Sequence, residues 1–242
     1  DRHEEILDEL AEHFARSSER EKGVQYLSRA GERAASLFAY DEAQAYYRRV
    51  LELLEPDRAF DDQRLLILDK LGDAAYAHGA LNEALQHWEA ALALVLDRSD
   101  RRRAADLHRK MGGARWATGE KDQALAHLES GLAALGDDLE NLEAARLYQE
   151  CGRVHFRRGN HDRAMQWAEQ ALALGQRLDA SDVVAQAYNT VGVALARADK
   201  IEQGAGYVLR GLEQALASQL GSIACRAYTN LAVMYASLDP AR

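Results

Sequence analysis

Glycine, or in one case alanine, recurs every 40 or 41 residues: Gly31, Gly72, Gly112, Gly152, Gly192 and Ala232. Two further ladders run in step with it, Ala43, Ala84, Ala124, Ala164, Gly204 and Leu51, Leu92, Leu132, Leu172, Leu212. Small and apolar ladders with one shared period mean one supersecondary unit copied along the chain and stacked on itself. Stacked units share a continuous core, so residues 1–242 are expected to form a single elongated solenoid, although length alone would allow two domains.

The repeated unit is helical. Alanine, leucine, glutamate and arginine dominate, the chain has only 2 prolines, and no alternating Val/Ile/Thr run suggests a strand. In Leu68–Leu94, small or apolar residues fall at Leu68, Leu71, Gly72 and Ala75, the i, i+3, i+4, i+7 face of a helix. Gly79 breaks the run as a residue able to adopt positive φ. A second amphipathic run carries Leu81, Ala84, Leu85, Trp88, Ala91 and Leu92. Gly72 and Ala84 are small because the two helices of the pair are expected to cross closely there. The period then predicts helices at 3–17, 21–37, 40–55, 60–78, 81–97, 100–118, 121–135, 139–158, 161–177, 181–198, 201–218 and 221–238.

Leu71, Gly72, Gly79, Ala84, Trp88, Ala91 and Leu92 follow a pattern that resembles the tetratricopeptide repeat (TPR) signature. The pattern recurs at Gly112, Gly119, Ala124, Leu128 and Leu132, and again at Gly152, Gly159, Ala164, Ala171 and Leu172. Asp199 and Gly204 depart from it in the fourth copy, and Phe38 replaces the turn glycine in the first. The resemblance implies an all-α, right-handed superhelical solenoid of antiparallel helix pairs, about five pairs plus terminal helices. The segment Leu10–Glu55 is also similar to the one that opens the TPR region of large bacterial AAA/STAND-type signalling ATPases, in which a cyclase, kinase or DNA-binding domain is joined to the ATPase. No G-x-x-x-x-G-K-[ST] phosphate loop is present. The chain begins at Asp1 and is expected to be part of something longer.

What the resemblance implies about function is a non-enzymatic, protein-binding scaffold in bacterial signal transduction, binding a peptide or partner domain in a concave groove. The alternative is a sensory or autoinhibitory arm of a STAND-type ATPase that takes a small ligand. In TPR folds the groove is lined from the first helix of each pair. Counted from the ladder glycine, positions −6, −3, +1, +4 and +5 carry over to Asp69, Asp73, Tyr76, Arg109, Trp116, Arg146, Gln149, Arg153, Phe156, Arg157, Gln186, Asn189, Arg197 and Arg226. The expected groove starts acidic and turns basic, which suggests an acidic or carboxylate-bearing protein partner.

Other chemistry finds little support. A net charge of −9 disfavours nucleic acid as a partner. No apolar run reaches the length of a membrane span, and two cysteines in non-adjacent units fit a reducing, cytoplasmic setting. Cys151, beside a ladder glycine, reads as a small buried hydrophobe. His155 and His161 lack partners at ligand spacing, so no metal, catalytic residue or cofactor is expected. Arg101, Arg102 and Arg103 read as a solvated run beside Asp97, Asp100 and Asp106. The last helix, with Tyr228, Leu231 and Tyr235, is expected to expose an apolar face and support end-to-end self-association.

Overall fold

The structure is a computed structural model and describes residues 6–17, 19–54, 58–96 and 99–238. The expected helical residues 3–5, 55 and 97 lie outside the described residues. Among the described residues there is no strand, and twelve α-helices follow the expected order. The chain divides into two compact units, residues 1–120 and 121–242.

The first unit holds α1 (Leu7–Ala15), α2 (Arg20–Ser36), α3 (Tyr40–Leu53), α4 (Asp61–His78), α5 (Leu81–Leu96) and α6 (Arg101–Ala117). The second holds α7 (Lys121–Leu135), α8 (Leu142–Arg157), α9 (His161–Arg177), α10 (Ser181–Arg197), α11 (Ile201–Ala217) and α12 (Gly221–Leu238). Within each unit every helix packs on the next in sequence. In the second unit α8 also touches α10, and α10 touches α12, so these three first helices lie side by side.

The tight turns that follow α2, α4, α6, α8 and α10 share one geometry. Gly79, Gly119 and Gly159 have φ of 92°, 86° and 80°. Phe38 and Asp199 adopt the same left-handed conformation at φ 62° and 59°, without glycine. In each turn the next N–H bonds back five residues, as in Ala80 to the Ala75 carbonyl at 2.9 Å and Ala39 to the Ala34 carbonyl at 2.9 Å. That bond satisfies a carbonyl the helix end leaves open. The turn therefore survives loss of its glycine, at a cost of about 1–2 kcal/mol for the strained L-residue.

The ladder glycines Gly31, Gly72, Gly152 and Gly192 make room for the residue sixteen positions later. A Cβ on Gly72 would run into the indole of Trp88, and one on Gly31 would lie 2.5 Å from Cε1 of Tyr47. At Gly72, where the two helices are expected to cross closely, the space a Cβ would take is filled by the buried Trp88 ring, because a large side chain at that second-helix site needs a neighbour with none. A crossing of bare helices occurs in the second unit. A Cβ on Gly192 would meet Val208 Cγ2 at 2.5 Å and the Gly204 carbonyl oxygen at 2.6 Å. Gly204, a departure from the signature, is what lets the α11 backbone approach α10.

One apolar expectation needs correction. Leu231 is buried, whereas Tyr228 and Tyr235 are half exposed. Ala227, Leu231 and Met234 share the i, i+4, i+7 face that α12 buries in the cluster containing Val208 and Leu212, and the tyrosines lie one step round the helix. Cys151 is buried, and burial pushes its thiol up to about 12, so it is held as an unreactive thiol.

Candidate ligand-binding face

The first helices of the first unit carry the residues read as acidic, and the structure neutralises them. Lys110 Nζ on α6 lies 2.6 Å from Asp69 Oδ1 and 2.8 Å from Asp73 Oδ1, both on α4, and 3.9 Å from Asp106. Burial works against the Lys110 ammonium, but Asp73 and Asp69 more than offset it and hold its pKa above the ordinary lysine value. Lys70 on α4 pairs with Glu32 on α2 in the same way. Both lysines stand two residues before the ladder glycine, a position outside the set expected to line the groove. The signal was in the sequence: opposite charges 38 and 41 residues apart, Glu32 with Lys70 and Asp69 with Lys110, reach from one first helix to the next. Arg109 is held by Asp106 Oδ1, at 3.0 Å from Nε and 2.7 Å from Nη2. Tyr76 is 42% exposed and tilts against Trp88 at 5.8 Å between centroids. Trp116 is partly buried on α6.

The second unit is different. Arg153 and Glu150 on α8 form a fork, with Arg153 Nε donating to Glu150 Oε2 at 2.8 Å. Arg226 on α12 donates from Nη1 to the neutral Gln186 Oε1 on α10 at 3.4 Å. Burial, the positive charge of Arg153 and that of Arg157 all lower the Arg226 pKa, with Glu150 opposing them. Arg157 is lowered by burial and by Arg153, again against Glu150. Arg153, Arg157 and Arg226 thus lie within electrostatic reach of one another and of Glu150. Glu150 was missed for the same reason as the lysines: it too stands two residues before its glycine. Arg146 does not join this set; its Nη2 is 3.3 Å from Asp182 at the start of α10.

Amides continue the face. Asn230 Nδ2 on α12 donates to Asn189 Oδ1 on α10 at 3.0 Å, and Asn189 is buried. Gln149, the counterpart of Asn189 on α8, is buried with no hydrogen-bond partner at Nε2. A further turn along the same helices the surface becomes apolar. Phe156, Val193, Ala196, Val233 and Met234 line a cavity of about 240 Å³ with Ile201, and Arg197, Asn230 and Ser237 supply its polar edges. Val233 is 63% exposed at its mouth. Phe156, Arg197, Gln186, Asn189, Arg153, Arg157 and Arg226, expected from the offsets that the resemblance implies, all lie on α8, α10 and α12. Along α12 a charged residue, an amide and an apolar pair follow one another: Arg226, Asn230, then Val233 and Met234.

Among the described residues no group of three or more His, Cys, Asp and Glu could hold a metal ion, and no helix is long and apolar enough to cross a membrane. His155 is buried with Nδ1 unpartnered, and burial lowers its pKa.

Residues 144–178, spanning α8 and α9, match the family model of the tetratricopeptide repeat. The chain carries a tetratricopeptide repeat. Solved structures extend the likeness along the chain. The apo form of the quorum sensor NprR from B. thuringiensis matches with a TM-score of 0.75 and 15% identity, covering 96% of this chain and 64% of that one. A STAND protein with a TPR sensor from Pyrococcus horikoshii matches with a TM-score of 0.74 and 13% identity, over 93% of this chain and 35% of that one. A Rap protein complexed with competence and sporulation factor matches with a TM-score of 0.71 and 16% identity, over 98% and 68%. At these identities the likeness is one of fold: an all-α helical repeat of the TPR type. Comparison with curated proteins gives no match.

Proposed function

We propose that this chain is a non-enzymatic binding module that takes an acidic peptide or partner loop on the face of α8, α10 and α12. The reading rests on the closeness of Arg153, Arg157 and Arg226, with Arg226 bonded to the neutral Gln186, beside an apolar cavity lined by Phe156 and Arg197. Guanidinium forks grip carboxylates through paired hydrogen bonds. Groups fixed on packed helices lose little freedom on binding, which lowers the cost of association. The first unit is the poorer candidate, because Lys70 and Lys110 already satisfy its carboxylates. The reading is also supported by the fold likeness to a Rap protein solved with a bound factor. The test is fluorescence anisotropy with acidic, neutral and basic peptide pools. Acidic peptides should bind, and Arg153→Glu with Arg157→Glu should abolish binding; because Arg153 is partly buried in its fork with Glu150, a thermal melt must show the double variant folded. Equal binding by the double variant refutes it.

A second reading keeps the same face as a sensor arm attached to an ATPase. It is supported by the similarity of Leu10–Glu55 to the segment that opens such arms, and by the fold likeness to the STAND protein with a TPR sensor. A parent sequence with no phosphate-binding loop would exclude it.

A further inference from the structure

The binding face of the second unit is graded, and the grading has a length. On α12 the sequence runs from Arg226 through Asn230 to Val233 and Met234. Arg226 belongs to the charged end, Asn230 is bonded to Asn189 in the middle, and Val233 and Met234 line the cavity. Seven residues of helix separate Arg226 from Val233, a rise of roughly 10 Å at 1.5 Å per residue. An extended chain covers that distance in about three residues, at roughly 3.3 Å each. The cavity, at about 240 Å³, is smaller than the roughly 300–1,000 Å³ of a small-molecule site and suits one large side chain.

We infer that this face reads a two-point peptide motif: a carboxylate side chain at Arg226 and a bulky apolar side chain in the cavity, about three residues apart in an extended segment. The inference rests on the peptide-binding reading above and adds the spacing and the second anchor. Charge complementarity selects the carboxylate for the Arg153 and Arg226 end. Asn230 lies between the anchors, where its amide can bond the backbone of an extended chain whatever its intervening side chains, while Gln186 holds Arg226 at the charged end. Arg197, at the cavity edge, disfavours a cationic residue beside the apolar anchor.

The test uses terminally blocked 12-residue peptides in a Ser/Gly background, too short and too glycine-rich to form helices. One set carries a single Asp and a single Leu with two residues between them, in both orders. Controls place them adjacent or six residues apart, or carry one without the other. Affinity is read by isothermal titration. One order of the two-residue spacing should bind at least tenfold tighter than every control. Val233→Trp, and separately Ser237→Trp, should remove the advantage of Leu; Arg226→Gln should remove that of Asp. Both tryptophans replace exposed residues, so the folds should hold, which circular dichroism checks. If all acidic peptides bind equally and the Arg153→Glu, Arg157→Glu protein loses them, the two-point rule is overturned while the acidic-peptide reading stands. If no peptide binds, or that variant binds as well as the parent, both fall. If decanoate binds in a Val233→Trp-sensitive way and no peptide does, the occupant is a free amphiphile and the inference is overturned.

Discussion

Replacing Gly192 by alanine should destabilise the second unit, although alanine is the better helix former. A Cβ there would lie 2.5 Å from Val208 Cγ2 and 2.6 Å from the Gly204 carbonyl oxygen, where ordinary contacts start at 3.4 Å. One obstacle is backbone, so no rotamer change relieves it. The helices α10 and α11 must separate by something on the order of 1 Å along a packed interface. Overpacking of this kind costs about 1–3 kcal/mol. The helix-propensity gain returns about 1 kcal/mol, which leaves a net loss of up to about 2 kcal/mol. In a protein of this length each kcal/mol moves Tm by about 2–4 °C, so the fall should reach several degrees. Gly206→Ala is the internal control. Gly206 lies in α11, is exposed, and a Cβ there meets nothing within 4 Å. Only the propensity gain remains, about 1 kcal/mol, and Tm should rise by about 2–4 °C. Thermal melts followed by circular dichroism measure both. If Gly192→Ala matches the parent or exceeds it while Gly206→Ala behaves as expected, the close crossing of α10 and α11 is wrong.

Three further outcomes follow from particular contacts. Lys110→Met should destabilise the first unit by about 1–3 kcal/mol in urea, because Asp69, Asp73 and Asp106 lose their shared cation in a partly solvated site. The deficit should shrink below about pH 4, where carboxylates protonate; a pH-independent deficit would point to lost packing instead. Phe38→Gly should stabilise by about 1 kcal/mol, since Phe38 is 77% exposed at positive φ; a lower Tm would mean that its edge contact with Tyr40 outweighs the strain. Cys151 and Tyr47, with groups raised by burial to about 12, favour the folded state fully below their unfolded values of 9.0 and 10.0. That contribution is lost as the pH rises towards 12, because the unfolded chain ionises first. Melts at pH 8 to 11 should fall, and a thiol reagent at pH 8 should titrate exposed Cys225 but not Cys151 until the protein is denatured; two fast-reacting native thiols would contradict the burial.

The helices were legible because the constraint that produces them is local. A glycine that must make room for Tyr47 or Trp88 leaves a mark at a fixed spacing, and the turn at Phe38 kept its conformation because the backbone bond back to Ala34 survives the substitution. The positions on the face of α8, α10 and α12 follow once Gly152 and Gly192 set the register and the repeat resemblance supplies the offsets. What the register could not supply was which charges meet across repeats. Lys110 and Asp69 are 41 residues apart, and Glu150 answers Arg153 on its own helix, so the acidic half lost its free carboxylates and the basic half gained a paired one. The cavity was also hidden, because it is the space that Phe156, Val193 and Met234 leave unfilled, and that depends on how three helices meet. Leu231 was misplaced by one step round a helix, the smallest error an apolar pattern allows when tyrosines flank the buried stripe.

The most direct measurement of the central claim is a methyl and amide NMR titration of the protein with the blocked peptide carrying Asp and Leu two residues apart. Binding on the face of α8, α10 and α12 predicts saturable shifts at the methyls of Val193, Val233 and Met234, the side-chain amides of Gln186 and Asn230, and the Arg226 guanidinium. The first-unit network around Lys110 should stay unmoved. Shifts gathered on that network or on the outer helices α9 and α11, with Val233 and Arg226 silent, would contradict the account.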